Sequence, residues 1–171
     1  MKRLICILLL VCTLVTLYGC AKSNEQYLRI HIRANSNSEI DQNIKYKVKD
    51  IVVTYLTPLV KRCDSIESVK NVIEDNHDNI TTIIDSYLYD NGFGYKSRVT
   101  INNEFFPTRT YDNLTLQADY YDAIIINLGE GKGNNWWCVV YPPLCFTGNN
   151  VVYKSKIVEL INKYLWKLKN T

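Results

Sequence analysis

The side chains of this chain that could do chemistry are few and lie far apart in the sequence. The two histidines, His31 and His77, have no further ligands at the spacing that zinc sites use. A hydrolase would need a nucleophile with a base, or two carboxylates in contrasting environments. His31, Asp122 and Glu130 could supply such groups only if folding brought them together. Because no catalytic signature accompanies them, we predict no catalytic residue, no metal site and no cofactor, and a cell-envelope hydrolase or other exported enzyme is the alternative.

The glycine-rich segment GEGKG, residues 129–133, raises the question of phosphate binding. A Walker loop has four residues between its first glycine and Gly-Lys, and Ser or Thr follows. Here the spacing differs and Asn134 follows. A dinucleotide-binding loop would have to open a helix, whereas NNWWCVV is a poor helix start. Three alternating glycines readily supply positive φ in a reversing loop, so we predict a plain hairpin.

Two strands must flank that loop. Residues 120–128 are almost continuously apolar, which predicts a strand buried on both faces. Residues 136–141 predict a second strand, which Pro142-Pro143 would stop because proline lacks a ladder donor. Trp136 and Trp137 must face opposite sides of that strand. One is expected to pack against helices. The other either serves as a binding anchor on the uncovered face or at an edge, or is covered by the two prolines.

Two long segments carry a resemblance to a known family. They are LTLQADYYDAIIINLGEGKGNNWWCVVYPPLCF, residues 114–146, and LRIHIRANSNSEIDQNIKYKVKD, residues 28–50. Both resemble signature segments of the stage II sporulation protein R family. They lie at both ends of the mature chain, so the resemblance covers nearly all of it, although residues 57–96 add little.

This resemblance implies an intercompartmental signal of endospore-forming bacteria. Such a protein is made in the forespore and exported into the space between the forespore and the mother cell. There it activates a membrane-embedded aspartic protease, which processes the pro-sigma E factor of the mother cell. The implied mechanism is protein binding that stabilises an active state of the protease, so we expect a protein partner, no enzymatic activity and no small-molecule substrate.

We predict that the partner binds at the glycine loop and the strand that follows it. The candidate contact residues are Glu130, Lys132, Asn134, Asn135, Trp136 and Trp137. The polar turn at residues 35–41 contributes if the fold brings it near.

Residues 1–21 are predicted to be a targeting segment, followed by one signalling domain at residues 22–171. Lys2 and Arg3 precede a short apolar run. Leu17-Tyr18-Gly19-Cys20 then resembles a bacterial lipobox, although Tyr18 is bulky for its position. Lipidation at Cys20, ordinary cleavage and an uncleaved anchor stay open, and all three place the domain outside the cytoplasm. Removing both basic residues reduces the formal charge from +3 to +1, which does not indicate nucleic-acid binding.

Six cysteines occur in the chain. Export makes a disulfide feasible, and Cys138 and Cys145 are the best pair because the two prolines can turn the chain between them. The loop-entropy formula gives such a bridge about 2.5 kcal/mol. Two reduced, buried thiols are the alternative, and the pairing of Cys63 is undetermined.

The remaining elements follow from periodicity. Residues 27–34 predict a strand with one buried face, with Arg29, His31 and Arg33 on its polar side. A helix capped by Ser38 should end near Pro58, and a second should run from Ser65 to Gly92 with His77 on its buried edge. The pattern further predicts a strand at 95–103 and a connection at 108–116. A basic amphipathic helix at 157–168 is expected to pack on the sheet rather than on lipid. The order predicts a single α+β domain with a mainly antiparallel sheet of about four strands and helices on one face.

Overall fold

A computed structural model of the chain describes residues 27–111, 113–146 and 165. The predicted targeting segment at residues 1–21, including Cys20, lies outside the described residues. So does the predicted terminal helix, except for Leu165, which is helical and packs against Ile51 and Ile83.

In the described chain one strand precedes a block of three helices, and five strands follow it. In chain order the elements are β1 (Leu28–Arg33), α1 (Glu39–Val60), α2 (Ile66–Asp75), α3 (His77–Asp90), β2 (Ser97–Phe106), β3 (Arg109–Tyr111), β4 (Leu114–Leu116), β5 (Asp119–Leu128), β6 (Asn135–Tyr141) and a 3₁₀ turn (Leu144–Phe146).

Four of the strands form one mixed sheet in the order β2-β5-β1-β6. Strands β1 and β5 are parallel, whereas β2 with β5 and β1 with β6 are antiparallel. The three helices supply the apolar residues that cover one face. This confirms the predicted α+β domain with a mainly antiparallel four-stranded sheet.

The predicted hairpin between β5 and β6 is wrong, because β1 lies between them. His31 of β1 is in register with Ile125 of β5 on one side and with Trp137 of β6 on the other. The glycine loop therefore crosses the end of β1 instead of joining paired strands. The sequence signal for a reversing loop was sound, but it carries no information about a third strand inserted from the start of the chain.

The helix-covered face holds the main core. Ile30 and Ile32 of β1 and Ile124 and Ile126 of β5 are fully buried there, together with residues of α1 such as Leu56. Helix α1 starts as predicted, with the Ser38 side chain accepting a hydrogen bond from the backbone N–H of Asp41 at 3.2 Å. It continues through Pro58 to Val60. Among the described residues, no helix has the length and apolarity to span a membrane.

The single helix predicted between Ser65 and Gly92 is two helices, divided at Asn76. The Asn76 side chain donates to the Val72 carbonyl at 2.8 Å and accepts from the Tyr55 hydroxyl at 2.7 Å. His77 therefore begins a helix, and its side chain is 44% exposed rather than buried. Its Nε2 lies 2.9 Å from the Val99 carbonyl oxygen, so it links α3 to β2.

The prediction that β1 buries only one face is also wrong, because Arg29 and His31 are completely buried. Residues 108–116, expected to be a connection, form the small β3–β4 hairpin. Its residues Tyr111, Leu114 and Leu116 join a second core on the face opposite the helices. Alternating charged residues normally indicate an exposed face, and here a distant hairpin covers that face.

Candidate interaction site at the junction of two loops

The glycine loop and the turn after β1 form one hydrogen-bonded unit, which we call the loop junction (residues 34–38 and 129–134). The backbone N–H of Gly133 donates to the Ala34 carbonyl at 2.8 Å, and that of Lys132 donates to the Asn35 carbonyl at 3.2 Å. The Asn35 side chain also accepts from the Glu130 N–H at 3.0 Å. The two segments that resemble the family signatures therefore meet in space.

Two different structural constraints require glycine in the loop. Gly129 and Gly131 have φ of +55° and +63°, which favour glycine. Gly133 allows the loop backbone to approach the turn after β1, because a Cβ there would collide with the backbone oxygen of Ser36. A larger residue at 133 would separate the loop from the turn.

The Asp41 carboxylate stabilises the turn of the loop junction through hydrogen bonds. Its carboxylate accepts hydrogen bonds from Ser36 Oγ at 2.6 Å, Asn35 Nδ2 at 3.0 Å and the Tyr95 hydroxyl at 2.6 Å. Burial alone would raise the pKa of Asp41, but the hydrogen bonds from Ser36, Tyr95, Asn35 and Ser38 together lower it below its usual value. The sequence indicated Asp41 only as part of a helix cap, since Tyr95 is too distant for a local pattern to reveal.

Glu130 and Lys132 lie exposed on the loop and form an ion pair of 2.6 Å. Their mutual hydrogen bond lowers the pKa of Glu130 and raises that of Lys132. Asn134 is exposed, and its backbone N–H donates to Asn37 Oδ1 at 2.7 Å. A partner could reach Glu130, Lys132 and Asn134 because all three are exposed. Their role as contact residues stays a prediction.

Trp136 and Trp137 face opposite sides of β6, as their adjacency requires. Trp136 packs against the helix-side core. The Trp137 ring stacks on His31 at 4.9 Å between centroids and meets Phe106 edge-on at 4.8 Å. Trp137 therefore belongs to the second core, and the face that was expected to be uncovered is covered in part by the β3–β4 hairpin.

A polar groove of about 550 Å³ adjoins the loop junction. Helix α1, the start of β6 and β3 contribute its walls. The side chains that line it include Gln42, Lys45, Tyr46, Arg109, Asn135 and Trp137. Apart from Asn135 and Trp137, these residues were not predicted to belong to a site, because their approach depends on how α1 and the hairpin flank β6.

The structure does not bring the three candidate hydrolase groups together. His31 lies on the second core's face, with its Nε2 2.8 Å from Glu104 Oε2. Asp122 alternates to the opposite face and pairs with Lys70 at 2.6 Å, while Glu130 stands on the exposed loop. Within the described residues, no group of three or more His, Cys, Asp or Glu side chains could hold a metal ion.

His31 is held neutral by its surroundings. Burial is the largest cause that lowers its pKa to about 4, and the positive charge of Arg33 adds to the effect, while Glu104 opposes it. Glu104 also forms an ion pair with Arg33. This polar cluster, buried at His31 and partly exposed at Glu104 and Arg33, links β1 to β2.

Cys138 and Cys145 form a disulfide with Cα atoms 6.3 Å apart. It connects β6 to the 3₁₀ turn that follows the two prolines. Cys63 is a free thiol of intermediate exposure. The bridge therefore anchors the end of the strand that carries Asn135, Trp136 and Trp137.

Fold and site define this protein as an α+β domain that presents two joined loops beside an edge strand of a mixed sheet. The sequence profile of stage II sporulation protein R matches residues 24–151, and the chain belongs to that family. Over 122 residues it is 39% identical to stage II sporulation protein R of Bacillus subtilis (strain 168). The match covers 71% of this chain and 54% of the relative, so it spans about half of that protein's length. No solved structure matches the chain.

Proposed function

We propose that this sporulation protein is an exported signal that activates a membrane-embedded aspartic protease and so triggers processing of pro-sigma E in the mother cell. Membership of the stage II sporulation protein R family supports the sporulation role.

The single observation that carries the proposal is the loop junction. The two segments in which the family resemblance resides are the same two segments that hydrogen-bond to each other through Ala34, Asn35 and Gly133. Both loops present polar groups at one end of the sheet, where a protein partner could touch them at once. A partner that bound this surface better in its active state would be shifted toward that state by the difference in affinity.

In this proposal the protein acts outside the forespore membrane, in the space between the two cells. Its partner is the extracytoplasmic part of the protease, and membrane association occurs through Cys20 or the targeting segment. It binds neither nucleic acid nor a small-molecule substrate and has no catalytic residue of its own.

Co-expression in a host that does not sporulate tests the proposal. The chain, the protease and the pro-sigma E precursor are produced together, and precursor cleavage is measured on immunoblots. We expect cleavage to require all three proteins and to vanish when the protease lacks its catalytic aspartate. Cleavage that is unchanged by a folded, exported chain would overturn the proposal.

The loop surface is tested by direct binding to the extracytoplasmic part of the protease. Glu130→Ala, Lys132→Ala and Asn134→Ala are compared with the wild-type chain, since all three residues are exposed on the loop, and thermal unfolding is followed in parallel. We expect weaker binding in variants that stay folded. Wild-type binding by all the folded variants would remove the loop as the recognition surface.

A further inference from the structure

The groove beside the loop junction carries positive charge that its own walls do not balance. Lys45 and Arg109 line it, and no aspartate or glutamate among the described residues does. Among the described residues, neither cation forms an ion pair with a carboxylate. The groove therefore has the charge of a site for an anionic group.

Lys45 is the most informative member of this groove, because its side chain is only 1% exposed. Its Nζ donates to Gln42 Oε1 at 2.7 Å and to the Asn134 carbonyl at 3.0 Å. An ammonium group has three N–H donors, so these two bonds leave one donor, and the Nζ also lies 4.5 Å from the centroid of the Tyr46 ring. Burial without a counter-charge lowers the pKa of Lys45, and an arriving carboxylate would relieve this cost.

The groove also offers what an extended backbone requires. Asn135 lines the groove, and its buried Oδ1 atom has no hydrogen-bond partner among the described residues; a peptide N–H that reached this atom would supply one. Asn135 starts β6, which is an edge strand of the four-stranded sheet. Edge strands can pair with an added extended segment.

The position of the groove agrees with binding of an extended segment beside β6. Helix α1, which carries Lys45, packs on one face of the sheet, whereas Trp137 belongs to the core on the other face. Residues from both sides can line one groove only where it passes around the margin of the sheet, at the start of β6. A peptide in the groove would therefore run beside the edge of β6 that pairs with no other described strand.

We propose that this groove binds an acidic, extended segment of a protein partner, with a carboxylate between Lys45 and Arg109 and the peptide backbone beside β6. The inference rests on the proposed function only for the identity of the partner, which would then be the extracytoplasmic part of the protease.

Calorimetric titration of the full chain with two short capped peptides tests the groove. One alternates glutamate with serine, and the other has glutamine in place of each glutamate. We expect only the acidic peptide to bind, and to bind more weakly as salt is raised. Equal binding of both peptides, or of neither, would overturn the proposal, as would free glutamate or inorganic phosphate binding as tightly as the acidic peptide.

Single substitutions test whether the acidic peptide binds in the groove. Lys45→Met and Arg109→Met should each weaken the acidic peptide at least about tenfold, since each removes one partner of a charge pair. Lys47→Met is the matched control, because Lys47 is an exposed lysine of the same helix that does not line the groove. If Lys45→Met unfolds, Arg109→Met decides the test, because Arg109 is exposed. Wild-type affinity in a folded Arg109→Met protein would overturn the proposal.

The co-expression assay then separates this inference from the proposed function. If the wild-type chain activates the protease and Arg109→Met does not, the groove is the partner's site. If both activate equally, the groove is not that site, and its assignment to the protease is overturned. If neither the wild-type chain nor the Lys47→Met control activates, the proposed function fails, and the peptide titrations decide the groove by themselves.

Discussion

At the scale of single residues, the two histidines show how surroundings set ionisation. Burial and the nearby Arg33 lower the pKa of His31 to about 4. For His77, the hydrogen bond to the Val99 carbonyl is the largest cause that raises the pKa above 6.5. His31 therefore favours the folded state above pH 6.5 and loses that contribution as pH falls toward 4. His77 contributes below 6.5 and loses its contribution as pH rises through its raised pKa.

We predict that proton NMR will resolve two histidine titrations, one below and one above the ordinary value of 6.5. His77→Gln assigns the upper one, and His31→Phe should remove the lower one together with most of the loss of stability between pH 6.5 and 4. A His31 titration at or above 6.5 in the folded protein would contradict the structure.

Asp41 supports a second prediction at this scale. Asp41→Asn replaces a buried acceptor of several hydrogen bonds, so we expect a loss of about 2–3 kcal/mol in the free energy of unfolding at neutral pH. Since the pKa of Asp41 is lowered, the wild-type protein should keep this contribution until pH falls below about 4. Glu39→Gln, which removes an exposed carboxylate from the same helix start, should cost under about 0.5 kcal/mol by urea unfolding.

At the scale of elements, the glycine loop and the turn after β1 depend on close backbone approach. We predict that Gly133→Ala will cost about 1–3 kcal/mol, because its Cβ meets the Ser36 backbone, which cannot yield as a flexible side chain would. Gly94→Ala is the control, since nothing lies within 4 Å of a Cβ there. Equal melting temperatures of the two variants would show that the loop does not touch the turn.

The disulfide between β6 and the 3₁₀ turn supports the second prediction for elements. Cys138 and Cys145 are 7 residues apart, and closing so short a loop is worth about 2.5 kcal/mol in the loop-entropy formula. The double replacement by serine should therefore lower the free energy of unfolding by about that amount. Reduction should destabilise the wild-type protein and leave the double variant unchanged, whereas a reduction-insensitive wild type would argue for free thiols.

At the scale of the whole molecule, the predicted targeting segment would decide where the domain acts. We expect mass spectrometry of the mature protein to show loss of the segment that ends in residues 17–20. Cys20→Ser then distinguishes the three forms. Release from the membrane fraction indicates a lipoprotein, unchanged partitioning with the lower mass indicates ordinary cleavage, and the full mass indicates an anchor.

The sequence by itself determined the local features of this protein. These features depend on residues at most a few positions apart. They are the helix cap at Ser38, the strand before the glycine loop that is buried on both faces, and the two tryptophans that face opposite sides of their strand. The α+β class followed from the order of these elements. The family followed from long strings of residues.

Only the tertiary structure decided how distant segments meet. Strand β1 separates β5 from β6, and its polar face is buried beneath a hairpin, as the hydrogen bond from Arg29 to the Tyr111 hydroxyl shows. Asn35 meets Glu130 across 95 positions of the chain. Periodicity reports which side of an element is apolar, but strand order and cover are set by the packing of the whole chain, so a local pattern cannot specify them.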